Sequence, residues 1–362
     1  MPAFDTIGQF ARPRKHRATA IACHINKLKL SKRVHNGERR PLARRRRVND
    51  QGSATALLSG KNKFLLRGAQ MLIQMDLLSD LEQLTVDRLV AHGFKAEAFG
   101  DLEKLYAHLH AHVHRLILPT RYEIKFSRQI KENPKFQSTQ PIIEEITGLL
   151  KVGQSVLPYL SNQVLERKPK KIRRDDTLIF WGIHHLHLSS QKTLERGMVL
   201  RADNLLLIRF EKGVAHLIDI VSHDTPNLWT DTRWLKIVDE NWPHLHHRFN
   251  NVRGRDLSPE EIWEIRKING NSPISINGNA IMPTMGIMSN GVPADVLWEL
   301  DRLTLQLKFI QDDVRNRFHH YFDIYAPFNQ SRAHVRLIGL DGVHFELAEE
   351  ISKRRVAARW LD

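Results

Sequence analysis

The stretch DTLIFWGIHHLHLSS, residues 176–190, places three histidines within four positions of an apolar run. On an extended strand alternate side chains share a face, so His185 and His187 are expected on one side with Ile179, Trp181 and Ile183. Downstream, NLLLIRFEKGVAHLIDIVSH reads as a hairpin: a strand from Asn204 to Phe210, a turn at Glu211-Lys212-Gly213, and a strand from Val214 to His223. In its second strand Asp219 and His223 are expected to share a face with Leu217 and Val221. Arg209 shares one with Leu205 and Leu207, while Arg201 and Asp203 stand at the strand entrance. Unpaired in apolar strands, such groups would cost on the order of a few kcal/mol each, so they must meet one another or a ligand.

Two chemistries suit His185, His187, Arg201, Asp203, Arg209, Asp219 and His223. In the first, an imidazole or Asp takes a proton from a ribose 2′-hydroxyl. A second imidazole then protonates the leaving oxygen, and an arginine holds the phosphate. The second is a single divalent metal held by His185, His187, Asp219 and His223, activating water and polarising phosphate. His-x-His spacing is common to both, so metal dependence stays open, with either no cofactor or one divalent metal. The histidines also fit a buried polar network that fixes strand register. HLSS at 187–190 resembles the His-x-Ser element of two-histidine phosphoesterases, but HLID at 216 and HVRL at 334 lack the hydroxyl a second copy needs. Phosphate-binding, dinucleotide-binding, nucleophile-elbow and helical zinc-protease motifs are absent.

The elements that must position these residues follow from periodicity. From Asn62 to Phe94 apolar residues recur at three- and four-residue spacing, predicting helix. DLEKLYAHLHAHVHRLI predicts another, with His108/His112 and His110/His114 as same-face pairs. No acidic residue shares their turns to complete a metal shell, so solvated or partner-facing rings are expected. IIEEITGLLKVGQSVLPYLSNQVLE reads as one or two helices. RKPKKIRRDD, residues 167–176, is a basic connector and the best domain boundary. TRWLKIVDENWP predicts a short helix stopped by Pro243, and the WPHLHHR after it a surface loop. Ser258-Pro259-Glu260-Glu261 carries a capping box, and Asn277-Gly278 marks a hairpin. The longest helix should begin at Val292, with Val296, Leu300, Leu303, Leu307 and Ile310 as its stripe. Two strands about Asp341-Gly342 and a short helix close the chain.

The net charge of +15 over 362 residues is concentrated at one end. Residues 1–47 hold fourteen Lys and Arg against Asp5 and Glu38, so +12 lies there and +3 on the rest. Such an arm repels itself and is expected to be disordered alone; its partner should be polyanionic, with nucleic acid foremost. Arg44, Arg45, Arg46 and Arg47, with Lys170, Lys171, Arg173 and Arg174 of the connector, are the candidate phosphate contacts. The single Cys23 excludes an intramolecular disulfide and a Cys-based zinc cage, and fits a reducing cytoplasm. No apolar run is long enough for a membrane span, and the N-terminus has no signal-peptide core.

WGIHHLHLS, LRADNLLLIRF, HLIDIVSH and NWP together resemble a block shared by a group of bacterial proteins, over roughly residues 140–250. The strand order and isolated basic and histidine groups are similar to the ribonuclease fold group of RelE toxins, barnase and colicin nucleases. That resemblance implies the same seven residues as the site, and fold analogy does not by itself establish activity.

The expectation is an α+β protein: a disordered basic arm (1–50), a helical domain (51–166), a small antiparallel β-sheet domain with the site (167–255) and a mostly helical C-terminal region (256–362). The leading function is a cytoplasmic bacterial nuclease acting on RNA more readily than DNA, as a toxin or phage-defence effector with a protein neutraliser as a further partner. The rival is a non-catalytic nucleic-acid-binding or scaffolding subunit with structural histidines.

Overall fold

A computed structural model describes residues 72–95, 100–167, 174–191, 196–249, 252–322, 332–341 and 344–359. The basic arm, with Cys23 and Arg44 to Arg47, lies outside the described residues, as do Lys170, Lys171 and Arg173 of the connector. The chain is α+β, as its periodicities require. In order it forms β1 (Leu72–Met75), α1 (Leu77–Ala91), α2 (Leu102–Val113), β2 (Glu123–Phe126), α3 (Arg128–Glu132), α4 (Phe136–Val152), α5 (Asp176–Trp181), β3 (Ile183–His187), β4 (Asn204–Glu211), β5 (Val214–Ser222) and α6 (Arg233–Asn241). Then follow β6 (Arg248–Phe249), α7 (Pro259–Lys267), β7 (Ile274–Ile276), β8 (Asn279–Ile281), α8 (Ala294–Asn316), α9 (Phe318–Phe322), β9 (Arg332–Asp341), β10 (His344–Glu349) and β11 (Arg354–Arg359). Among the described residues no helix is long and apolar enough to cross a membrane.

Two compact units divide the chain, one from residues up to Leu84 together with Leu305 onwards, the other Thr85–Thr304. In the first, a sheet runs in the order β1-β9-β10-β11, with β1 parallel to β9 and the other pairs antiparallel. Buried Asp80 accepts a hydrogen bond from the Leu337 amide at 2.8 Å and pairs with Arg336. Two expectations change here. Residues 72–75, predicted helical, form a strand because β9 offers a pairing edge, and Asp76 then caps α1, its carboxylate accepting from the Ser79 amide at 3.1 Å and hydroxyl at 2.8 Å. The segment after Glu349 makes a third strand instead of a short helix. The Glu349 carboxylate accepts from the amides of Ser352 (2.6 Å), Ile351 and His334, turning the chain back onto β10.

The second unit is built on a sheet ordered β2-β5-β4-β3, antiparallel except for the β2–β5 pair. β2, upstream of the basic connector, thus pairs with β5, downstream of it. The tight β4–β5 turn works because Lys212 and Gly213 both take positive φ, 46° and 79°. Leu206, Ile208, Phe210, Ala215, Leu217 and Ile220 face one core with α4; Ile183, Leu205, Leu207, Ile218 and Val221 face another with α6 and α7. Burial on both faces is why β4 reads as a nearly unbroken apolar run. A bulge resets β5: Leu217 lies opposite Ile208 and Asp219 opposite Leu207, leaving Ile218 extra. Leu217 therefore turns to the opposite face from Asp219, contrary to the regular alternation expected.

TLIFW, predicted as strand, is the helix α5. The Asp175 carboxylate caps it by accepting from the Leu178 amide at 3.1 Å. Gly182, at φ 68°, ends it in the left-handed region that a Cβ resists. Ile179 and Trp181 thus belong to the helix, and Ile183, His185 and His187 stand on the strand. The capping box at Ser258 and Glu261 forms as expected, as do the 277–278 hairpin and the long helix with its buried stripe.

Candidate functional site

Pairing of β3 with β4 sets Ile183 opposite Arg209, His185 opposite Leu207 and His187 opposite Leu205. Pairing of β4 with β5 sets Leu205 opposite Val221, and the His223 amide donates to the Asp203 carbonyl at 2.8 Å. The bulge places His223 on the same face as His185 and His187, at the end of the sheet where β3 stops and β4 begins. The His187 and His223 ring centroids are 5.2 Å apart, and those of His185 and His187 6.2 Å. Trp229, in the loop after β5, lies 5.1 Å from the His185 ring and 6.5 Å from that of His223, forming a wall for both. Asp175 Oδ2 approaches His185 Nδ1 to 3.4 Å, without the alignment of a hydrogen bond.

Burial holds the His187 imidazole down to about 4, helped by the neighbouring charges of His185, His223 and Arg201; a hydrogen bond with Ala202 opposes them. His223 is lowered by burial first and by Arg201 and His185 next, with Asp224 and Asp203 opposing. Both rings are therefore neutral near pH 7 and able to accept a proton. His185 Nδ1, His187 Nδ1 and His223 Nε2 are buried without a hydrogen-bond partner. Orphan ring nitrogens are costly in a fold and call for a proton, a water or a substrate. The patch is open on one side, since Arg201 and Asp203 are exposed and His185 is partly so. Two small recesses in this unit are not lined by these rings; Asp175 alone of the group borders one of them.

Five of the seven residues singled out in the sequence thus gather at one end of the sheet: His185, His187, Arg201, Asp203 and His223. Arg209 and Asp219 do not join them. The Arg209 guanidinium is buried and donates to the backbone carbonyls of Trp181 (3.2 Å) and Leu245 (2.5 Å), where it ties α5 to the chain after α6. The Asp219 carboxylate accepts from Asn133 Nδ2 at 2.7 Å and from the Ile220 amide, and burial raises its pKa. Arg174, the one described member of the connector's basic set, pairs with Asp176 at 3.2 Å and bonds Asn269 at 2.7 Å. Sequence reasoning missed Asp175 and Trp229. An Asp two residues ahead of Thr177, before a run closed by Gly182, is a capping signal that places a carboxylate at the root of the histidine strand. The Trp229 loop carries no comparable signal.

Among the described residues no group of three or more His, Cys, Asp or Glu side chains is arranged to hold a metal ion. Asp219, expected as the fourth ligand beside His185, His187 and His223, is held by Asn133 instead. Comparison with family models, curated proteins and solved structures finds no match for this chain.

Proposed function

We propose that the protein is a nuclease that cleaves RNA by acid–base chemistry at His185, His187 and His223. The observation that carries this reading is the gathering of three imidazoles with an aspartate behind one and an exposed arginine beside two. Neutral His187 serves as the base for a 2′-hydroxyl, and His223 can relay or share that role. His185 serves as the acid toward the leaving 5′-oxygen, with the Asp175 carboxylate 3.4 Å from its Nδ1. Arg201, reaching solvent next to His187 and His223, is placed to hold the scissile phosphate, and Trp229 offers a face on which a base can stack. Atoms balance within the substrate: the 2′-oxygen bonds to phosphorus, the 5′-oxygen leaves with a proton, and a 2′,3′-cyclic phosphate results.

The basic arm supplies the polyanion affinity that this small site lacks, since +12 of the +15 charge lies within residues 1–47. A cytoplasmic nuclease kept in check by a protein neutraliser, as a toxin or defence effector, fits this division between capture and cutting. The test is a gel assay of labelled RNA and DNA with excess EDTA. RNA cleavage that persists in EDTA, with DNA intact, supports the reading. Cleavage abolished by EDTA assigns the site to a metal, and binding without cleavage to a scaffold.

A further inference from the structure

Trp229, the wall beside His185 and His223, sits in a loop that α7 grips at two points. At one, Asn227 Nδ2 donates to the Glu260 carboxylate at 2.8 Å. At the other, Arg266 Nη1 donates to the Trp229 carbonyl. Around them Leu228 and Thr230 are buried, and the Leu228 carbonyl accepts from Trp234 Nε1 at 3.0 Å. Arg266 is itself 2% exposed. Its guanidinium carbon stands 4.3 Å from the Phe180 ring centroid and 4.6 Å from that of Trp181. Those two rings belong to α5, whose N-terminal cap is Asp175, the carboxylate beside His185. One arginine thus joins the helix capped by Asp175 to the loop that carries Trp229.

Packing alone does not call for an arginine here. Its Nε and Nη2 are buried without a protein partner, and burial lowers its pKa only to about 10, so it stays charged at neutral pH. The carboxylate that acts on it, Asp176, is paired with Arg174 at 3.2 Å. Such a group is costly to bury, and an apolar side chain of like volume would fill the slot at least as stably. An apolar chain could not hold the Trp229 carbonyl. We propose that Arg266 is a positioning residue that fixes the partly buried Trp229 ring as a shelf, on which one unpaired nucleobase of single-stranded RNA stacks beside the histidines. A base inside a duplex is stacked on both faces, whereas a splayed base has a face to offer. Resting on the RNA reading of the histidine site, the shelf adds the strand state of the substrate and a residue that enforces it.

The probe is a short 2′-O-methyl RNA, which cannot be cut through its 2′-oxygen, compared with copies that each carry one abasic position. Binding to the full-length protein is read by fluorescence anisotropy at about 0.3 M salt, where phosphate contacts of the basic arm are weakened. At one position the abasic copy should bind the wild type about fivefold or more weakly than the intact strand. Annealed to a complementary strand, intact and abasic copies should bind alike. Arg266→Met should bind the intact strand with the lowered affinity and make the abasic position silent, as should Trp229→Ala, and the double variant should add nothing to Trp229→Ala. A general loosening of the fold would instead weaken intact and abasic strands alike and leave their ratio unchanged. If Arg266→Met does not fold, Arg266→Lys, which keeps the charge but loses the flat fork between the rings, should show the same loss. If neither folds, the wild-type and Trp229→Ala scans decide. No sensitive position in the wild type, a penalty that survives annealing, or one kept in full in a folded Arg266 variant overturns the proposal. Ordinary RNA bound with these signatures and left uncut would sink the nuclease reading alone, and RNA cut without them would sink only the shelf.

Discussion

Two histidine-rich regions of this chain look alike as text and differ in kind. On α2, His108, His110 and His112 are all buried, the last two at 2% and 1% exposure, where solvated or partner-facing rings were expected. His110 stacks on Tyr106 at 4.1 Å, and His112 packs edge-on against His92 (4.9 Å) and Phe94 (5.3 Å). The carboxylate nearest to His110, Glu299 at 3.8 Å, is itself pushed up to about 7 by burial. At the end of β3 and β5, by contrast, the rings keep company with Asp175, Arg201 and Asp203, and the patch reaches solvent. A helix with histidines at every second position spreads them around its circumference and packs them like aromatics. A strand with the same spacing lines them on one face, where the histidine that follows β5 joins them across β4. Only the second arrangement brings several imidazoles together at an edge that reaches solvent.

That contrast breaks first if His187→Ala and His112→Leu behave alike. His187→Ala should lower RNA cleavage by about 10²- to 10⁴-fold, the usual worth of a general base, while His112→Leu should keep full activity in a steady-state assay. Asp175→Asn comes next. Asn caps a helix as well as Asp, so the fold should persist in circular dichroism while the loss of the carboxylate beside His185 lowers kcat by about tenfold or more.

Stability against pH sharpens the comparison from the other side. In the folded protein burial holds His112 to about 3 and His108, His187, His216 and His246 to about 4, below the ordinary 6.5. The unfolded chain then binds more protons than the folded one, so stability present above about pH 6.5 is lost as pH falls toward 4. Urea titrations across that range should show a falling midpoint, with a shallower fall in His112→Leu. The smallest effect is local: Gly182→Ala, at φ 68° and facing Thr284, should cost about 1 kcal/mol in urea unfolding.

Much of this was legible in the residues. The 204–223 hairpin, the Ser258 capping box and the stripe of α8 follow from turn chemistry and spacing that act within a few positions. The five gathered site residues were found because charged groups in apolar strands must have a reason. Arg209 and Asp219 met the same criterion and have structural partners, two carbonyls and Asn133, which lie too far along the chain for spacing to reveal. The helix at 176–181 was hidden because β-rich composition outweighed its short cap-to-cap bracket. The buried histidines of α2 were misjudged because polarity was taken as a proxy for exposure, although neutral imidazole packs well against aromatic rings.

The central claim, that the three imidazoles at the sheet's end cut RNA without a metal, is tested most directly by the chemistry of the product ends. RNA incubated with the protein in excess EDTA should yield fragments ending in 2′,3′-cyclic phosphate by mass spectrometry, and His187→Ala should yield almost none. Intact RNA, ends bearing 5′-phosphate, or cyclic ends at an undiminished rate in His187→Ala would contradict it.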